Sequence, residues 1–174
     1  MKEKEKKMYT LLLLLIYLAF ISLGLPDSLL GSAWPVMHKA FQVPLSYAGL
    51  VTMIISGGTI CSSLMSERLT KKFGTQIVTV FSVMLTAIAL FGFSTASAFW
   101  MLCLWAIPYG LGAGAIDAAL NNYVALHYNS RHMSWLHCFW GLGTIISPYV
   151  MSYALTTSVW QNGYRMVSFI QIGI

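Results

Sequence analysis

Charged residues are scarce in this chain of 174 residues: only 9% are Asp, Glu, Lys or Arg, whereas 57% are hydrophobic. Because soluble domains usually contain about 25% charged residues, this composition excludes an ordinary water-soluble domain, a disordered tail and a nucleic-acid-binding module. Cysteine is also scarce, with three residues in apolar runs and no CxxC pair or zinc-ligand spacing. We expect these cysteines to be small buried apolar side chains, without a disulfide framework or metal site.

Long apolar runs make up most of the chain and predict an all-α, polytopic membrane protein with a mean hydropathy of +0.71. Six spans are predicted, at residues 9–37, 46–64, 75–95, 98–126, 134–155 and 164–174. The sixth would cross only about half a bilayer at 1.5 Å per residue. We therefore expect residues 1–174 to form the N-terminal transmembrane domain of a longer protein, whose C-terminal six-span half is missing.

Positive charge is distributed unevenly between the two ends of these spans. Eight Lys and Arg residues fall on one side if the spans alternate, and two fall on the other: Lys2, Lys4, Lys6, Lys7, Arg68, Lys71, Lys72 and Arg131 against Lys39 and Arg165. Since cytoplasmic loops are enriched in Lys and Arg, we expect a cytoplasmic N-terminus in the cell membrane. The first apolar run continues past the length of a signal peptide, which predicts an uncleaved helix.

Two short patterns recur in the same order. Residues 24–30 (GLPDSLL) match residues 114–120 (GAIDAAL), and residues 49–56 (GLVTMIIS) match residues 141–147 (GLGTIIS) after one deletion. Each pair is separated by three spans, so the copies have opposite orientations in the membrane. Inverted repeats of three plus three helices within a six-span half are a known plan of secondary transporters.

Asp27 is the first of three ionisable side chains predicted to lie deep in the membrane, where such groups are costly and indicate a functional site. It follows Pro26, which removes a backbone donor and opens the helix locally. The spacing of Gly24, Asp27, Gly31 and Trp34 places them on one helical face. Asp27 is either a solute-binding group or a carboxylate that caps the broken helix.

Asp117 and His137 are the other two ionisable side chains that are predicted to lie deep in the membrane. Asp117 shares a face with Asn121, with Asn122 one residue away from it, and these groups either form a binding and proton-transfer site or only bond neighbouring helices. His137 either faces the pore or bonds a neighbouring helix. His127, His132 and His137 are five residues apart, so no metal site is expected.

Aromatic side chains near these acids predict either stacking on a ligand or anchoring at the membrane interface. The candidates are Trp34, Trp105, Tyr109 and Trp140. We prefer anchoring for Trp105 and expect Trp34 and Trp140 to contact solute.

A charged segment follows the second span: Glu67 and Arg68, then Lys71 and Lys72. On charge alone it is either a positive-inside anchor or a set of groups that pair with neighbouring helix ends. Its order resembles the signature G-x-L-x-D-R-x-G-R-[RK] of the major facilitator superfamily, with Ser63 and Thr70 at the two glycines. The resemblance extends over nearly the whole chain, as the N-terminal half of a twelve-span transporter, and implies that the segment gates conformation.

The chain further resembles the fucose and related sugar permeases of that superfamily. Asp27-Ser-Leu-Leu matches their first-span acid, and Asp117 with Asn121 matches their fourth-span acid and amide, while His137 and Trp140 stand where the fifth span of that branch carries an asparagine. The resemblance implies that the first acid binds solute and the second couples protons.

The expected function is therefore secondary transport of a small polar solute, a sugar being the favoured class, by alternating access and proton symport. A carboxyl group away from water is easier to protonate, so protons are the coupling ion and no other cofactor is expected. Lipid bilayer, solute and the second half are the expected partners. The alternatives are a half-size protein acting as a dimer and an inactive truncated fragment. A membrane-embedded enzyme is disfavoured because no HExxH, GxSxG or paired-carboxylate motif is present.

Overall fold

The computed structural model describes residues 2–173, with side chains from residue 9 onward, and every regular element in this part of the chain is helical. The side chains of the lysines in the N-terminal tail lie outside the described residues, as does Ile174. Seven α-helices follow one another, with a 3-10 turn at Leu45–Tyr47 before the third: α1 (Lys2–Asp27), α2 (Leu29–Ala40), α3 (Ala48–Phe73), α4 (Thr75–Thr95), α5 (Phe99–His127), α6 (Ser130–Thr157) and α7 (Trp160–Gly173). The all-helical prediction is confirmed.

Five stretches in the described part are long and apolar enough to cross a membrane: Tyr9–Ala40, Leu45–Phe73, Thr75–Thr95, Phe99–His127 and Ser130–Thr157. Helices α1 and α2 together make the first of these spans, and α7 adds a shorter helix of 14 residues. Several helices start earlier or end later than the apolar runs, because their ends carry polar residues that the hydropathy of a membrane span does not include.

The first span is broken at Ser28, between α1 and α2, where a proline was expected to open the helix. Pro26 has no N–H to donate to the carbonyl of Ser22, one turn earlier. The side-chain amide of Gln171, from α7, donates to that carbonyl at 3.0 Å, and Gln171 is itself buried. A polar side chain from α7 therefore satisfies the carbonyl that the proline leaves free.

Glycines allow two helix pairs to pack with their backbones in close contact. In the pair α3–α5, a Cβ added to Gly110 would collide with the carbonyl of Ile55. In the pair α1–α6, a Cβ added to Gly24 would collide with the carbonyl of Trp140. These are equivalent pairs in an inverted repeat of three helices, because span two packs on span four as span five packs on span one.

Only one of the two sequence matches for this repeat agrees with the structure. Gly24 and Gly114 each lie three residues before one of the aspartates and make equivalent contacts: Gly24 packs against the backbone of Trp140 on span five, and Gly114 packs against that of Thr59 on span two. By contrast, Gly49 is the second residue of α3, whereas Gly141 lies 11 residues after the first residue of α6. The match between spans two and five is therefore wrong, because it pairs a helix end with a helix centre.

The cysteine expectation is also wrong for two of three residues. Cys61 on α3 and Cys138 on α6 are exposed, and Cys103 is half-buried. The most apolar stretch of α3 is only 11% buried and that of α6 is 22% buried, compared with 50% for α4. Helices α3 and α6 thus present broad faces to their surroundings, and an apolar residue on them need not be buried.

The charged segment is helical, although the second span was predicted to end before it, at residue 64. Helix α3 continues through it to Phe73 and ends at Gly74, which has a φ of 82°. Lys71 Nζ lies 2.6 Å from the carboxylate of Glu67, one turn earlier, and this spacing supports a helix. A residue with a side chain is strained at such a φ, so glycine suits the end of this helix.

Candidate functional site

A cavity of about 350 Å³ lies between α1, α3, α5 and α6. It contains most of the polar groups that the sequence placed at membrane depth. The lining residues are Leu23, Asp27, Ile55, Thr59, Tyr109, Ala113, Asp117, His137 and Trp140. The structure therefore brings both aspartates and the histidine to one cavity, together with one of the predicted tryptophans.

Asp27 lies at the end of α1, where the helix break brings its carboxylate to the cavity wall. The hydroxyl of Tyr109 donates to Oδ1 at 3.0 Å, and the indole N–H of Trp140 donates to Oδ2 at 2.9 Å. One carboxylate thus connects the first, fourth and fifth spans. Hydrogen bonds to a carboxylate are stronger than neutral ones, so this group is held in a defined position.

Asp117 lies near the middle of α5 and has fewer hydrogen bonds. The amide of Asn121 donates to Oδ1 at 3.0 Å, one turn further along the same helix. Asn121 does not itself line the cavity, and its Oδ1 is buried without a partner among the described residues. Asn121 therefore supports Asp117 and is not placed to contact solute directly.

His137 reaches the same cavity from α6 and is exposed there. Its ring meets the ring of Phe20 edge-on, with centroids 6.4 Å apart. Trp140, one turn further along α6, is 41% exposed and offers part of its ring to the cavity in addition to its bond to Asp27. Both residues thus line the cavity from α6.

Two residues that were predicted to contact solute, Trp34 and Asn122, do not line the cavity. Trp34 is 4% exposed in the hydrophobic core, and its indole N–H donates to the carbonyl of Leu45 at 2.7 Å. Its ring packs against Phe99, with centroids 6.3 Å apart. Asn122 is exposed and is not among the cavity-lining residues. Trp34 acts as a packing residue here, because the turn before α3 covers it.

Tyr109 makes a polar contribution that was not predicted, since it was expected either to stack on a ligand or to anchor the helix at the membrane interface. Its hydroxyl, and not its face, approaches Asp27. A signal was available: Tyr109, Ala113 and Asp117 are spaced four residues apart, which places them on one side of α5. Thr59 was not predicted at all, and its hydroxyl donates to the carbonyl of Gly110 at 3.2 Å.

The charged segment lies apart from the cavity. Glu67 is eight residues beyond Thr59, or about 12 Å along the helix. Its carboxylate pairs with Lys71 of its own helix, and both side chains are exposed, at 70% and 75%. Lys72 Nζ lies 5.2 Å from the centre of the Phe73 ring, and Arg68 is exposed. Of the two alternatives, pairing with neighbouring helix ends is not seen among the residues that the structure describes, where Glu67 pairs with Lys71 of its own helix.

A metal role finds no support in the part of the chain that the structure describes, where no three His, Cys, Asp or Glu side chains are grouped to hold an ion. The side chains that line the cavity instead include two carboxylates, two aromatic rings and one imidazole.

Two curated proteins are similar to this chain. One is Bypass of stop codon protein 6 of Saccharomyces cerevisiae, which is 24% identical over 88% of the chain and 31% of that protein. The other is the glucose/mannose transporter GlcP of Bacillus subtilis, 22% identical over 87% of the chain and 38% of that protein. The chain thus spans about a third of the length of these relatives.

A family comparison covers almost the same part of the chain. Residues 16–172 match the sequence model of the Major Facilitator Superfamily, and this range includes all the residues that line the cavity. Members of this family are membrane transporters and not enzymes. With its helical membrane spans and inverted packing, the chain belongs to the major facilitator superfamily.

Proposed function

We propose that this chain forms one half of a secondary transporter that moves a small polar solute by alternating access, with proton symport. The observation that carries the proposal is the cavity between α1, α3, α5 and α6, which brings together Asp27 and Asp117 from equivalent positions of the two repeats. Carboxylates at membrane depth are costly and mark solute or proton pathways.

The hydrogen bonds favour different roles for the two acids. Asp27 accepts two bonds, from Tyr109 and Trp140, and bonds to the charged form of a carboxyl group stabilise that form. Asp117 accepts one side-chain bond, from Asn121. Asp117 is therefore better suited to take up and release a proton, while Asp27 is suited to accept hydrogen bonds from solute hydroxyls.

A sugar is the proposed class of solute. The similarity to a glucose/mannose transporter supports this class. A sugar ring has hydroxyl donors for the carboxylates and an apolar face for a flat aromatic ring, and Trp140 exposes such a ring beside Asp27. His137, on the same side of α6, is proposed as a further polar contact.

The remaining parts of the proposal concern topology. We place the N-terminus and the Glu67–Lys72 segment on the cytoplasmic side of the plasma membrane, because most Lys and Arg residues fall on that side. The open face of α3 and α6 is proposed to meet a second six-helix half, because little of either helix is buried by the described residues. The charged segment would then stabilise one closed state through ion pairs across that interface.

The test measures two activities of the protein encoded by the complete reading frame, reconstituted in proteoliposomes. Asp117→Asn removes the titratable proton and should abolish pH-driven accumulation of labelled glucose or mannose while leaving exchange across the membrane partly intact. Asp27→Asn should instead weaken solute binding. Each variant is the control for the other, since both remove one cavity carboxylate.

Two results would contradict the assignment. Accumulation by Asp117→Asn in response to a pH difference would remove it as the coupling site. The reverse pattern of defects would exchange the roles of the two aspartates. The absence of transport of any polar solute by the wild-type protein would reject the proposed function as a whole.

A further inference from the structure

His137 differs from the other three histidines of the chain in the bonds of its ring. The Nδ1 atoms of His38, His127 and His132 each lie within 3.3 Å of an oxygen atom of the protein. His137 makes no such bond to any residue that the structure describes, and its ring is instead positioned by the edge-on contact with Phe20. Both of its nitrogens are therefore left for groups that line or enter the cavity.

The position of His137 along the membrane follows from the bonds of Asp27. Trp140 on α6 and Tyr109 on α5 both donate to this carboxylate, so these two residues lie near one level. His137 precedes Trp140 by three residues and Asp117 follows Tyr109 by eight, which correspond to about 4.5 and 12 Å along the two helices. Both displacements are toward the turn that joins α5 to α6. His137 therefore lies between the level of Asp27 and that of Asp117.

The titratable groups that face His137 are two carboxyl groups and one phenol. Asp27 reaches the described cavity wall from α1, Tyr109 and Asp117 reach it from α5, and α3 contributes no titratable residue to it. Both carboxylate oxygens of Asp27 already accept hydrogen bonds. The charge of His137 acts on Asp117, whose Oδ1 accepts from Asn121 and whose Oδ2 accepts from no described side chain. Asp117 is thus the acid with an oxygen left for His137.

An imidazole at this position is suited to move a proton. The charge of a histidine ordinarily changes between about pH 5 and 8, so the ring takes up and releases protons near neutral pH. His137 and Asp117 are both exposed to the cavity, so water reaches both side chains. Acidic and histidine side chains at membrane depth form proton relays in pumps and transporters.

We propose that His137 is a proton-transfer residue for Asp117. The protonated ring of His137 donates a proton to Oδ2 of Asp117, which leaves a neutral carboxyl group and a neutral imidazole, and the imidazole then takes up another proton from water in the cavity. The inference rests on the proposed function and deepens it, because it names the group that supplies the proton to the coupling site. Asp27, whose oxygens are both bonded, is left for solute binding.

The first test measures the protonation of His137 in the protein encoded by the complete reading frame. The protein is isotope-labelled at its histidine nitrogens and studied by NMR in nanodiscs, and the signals that His137→Gln removes are those of His137. Asp117→Asn should lower the ratio of protonated to neutral His137 at a fixed pH by at least about tenfold, the low end of the effect of a neighbouring opposite charge.

His132 is the matched control in this test, because it lies on the same helix, is bonded to Tyr17 and does not line the cavity. Its ratio of protonated to neutral ring should not change in Asp117→Asn. An unchanged ratio at His137 would overturn the proposal. An equal change at the two histidines would overturn it as well, since the effect would then not come from a pair of His137 with Asp117.

The second test separates proton transfer from a hydrogen bond to solute. His137→Ala leaves room for a small ring in the cavity, and its pH-driven accumulation of labelled glucose or mannose is measured in proteoliposomes with added imidazole or pyrazole. The two rings have the same size and each carries a donor and an acceptor nitrogen, but only imidazole is a base near neutral pH. His137→Ala should lose accumulation and retain exchange, and imidazole alone should restore accumulation. Accumulation by the control His132→Ala should respond to neither compound.

Three results of the second test would overturn the proposal. Normal accumulation by His137→Ala without additives would show that no proton passes through this side chain. Equal restoration by imidazole and pyrazole would assign a hydrogen-bonding role to His137, and restoration by neither would show that a base in the cavity does not replace it. If the NMR result holds while the wild-type protein accumulates neither sugar, the proposed sugar transport fails and the pair of His137 with Asp117 stands, so the two failures are distinguishable.

Discussion

The bond between Trp140 and Asp27 gives a prediction that does not depend on the identity of the solute. Trp140→Phe keeps an aromatic ring and removes the indole N–H, which lies 2.9 Å from Oδ2 of Asp27. Hydrogen bonds to charged groups contribute about 1.5–3 kcal/mol, whereas hydrogen bonds between membrane helices average about 0.6 kcal/mol. If Asp27 is ionised, its coupling to Trp140 should be at least about 1.5 kcal/mol.

The assay is a double-mutant cycle for unfolding in mixed micelles, with Trp140→Phe, Asp27→Ala and the double variant. The cycle separates the bond from the loss of ring area, which Trp140→Phe also causes. Trp135→Phe provides a control on the same helix, because its ring packs against Phe139 with centroids 6.1 Å apart and lies away from Asp27. Its effect should add to that of Asp27→Ala without coupling.

The refuting result is a coupling energy between Trp140 and Asp27 of about 0.6 kcal/mol or less, the average for hydrogen bonds between membrane helices. Asp27 would then be neutral in the folded protein or would not be held by the indole. Either outcome would remove the argument that Asp27 is the fixed, ionised acceptor and that Asp117 is the proton carrier.

Three further predictions concern the helix contacts. Lys71→Ala should slow transport if the charged segment gates conformation, as proposed. Thermal stability should be unchanged, because the pair of Lys71 with Glu67 is exposed. Normal uptake rates would contradict the gating role. Gly110→Val should destabilise the bundle by about 1–3 kcal/mol through overpacking. Gly141→Ala should be tolerated, since no atom lies within 4 Å of the position that its Cβ would take. Denaturation in micelles compares the stability of the two variants. Gln171→Leu should cost about 1–3 kcal/mol in the same assay, because it leaves the carbonyl freed by the proline of the first span buried without a donor.

The sequence was sufficient for the class of fold because membrane helices follow from composition alone. It also placed Asp27 and Asp117 together, since their glycine and acid spacing repeats between spans one and four. The second repeat match was misleading, because Gly, Thr and Ser recur wherever membrane helices approach closely. Its residues proved to lie at different depths, Gly49 at a helix end and Gly141 well inside a helix.

The contacts of the site were less predictable, because they depend on the rotation of each helix against its neighbours. Trp34 lies on the same helical face as Asp27 by spacing, yet the break at Ser28 and the turn before α3 place it in the core. Tyr109 contributes through its hydroxyl, which spacing on one helix does not reveal. Both outcomes are tertiary effects that act on correctly placed helices.

The partners of Asp27 also bear on how the protein is made. Tyr109 and Trp140 lie 82 and 113 residues further along the chain than Asp27. When the first span enters the membrane during synthesis, neither donor has yet been translated, and an unpaired carboxylate in a bilayer is costly. The carboxylate of Asp27 on the first span thus gains both of these side-chain donors only when the fifth span has been synthesised. A chain that stops before Trp140 lacks the donor to Oδ2 of Asp27, and one that stops before Tyr109 lacks both of these side-chain donors.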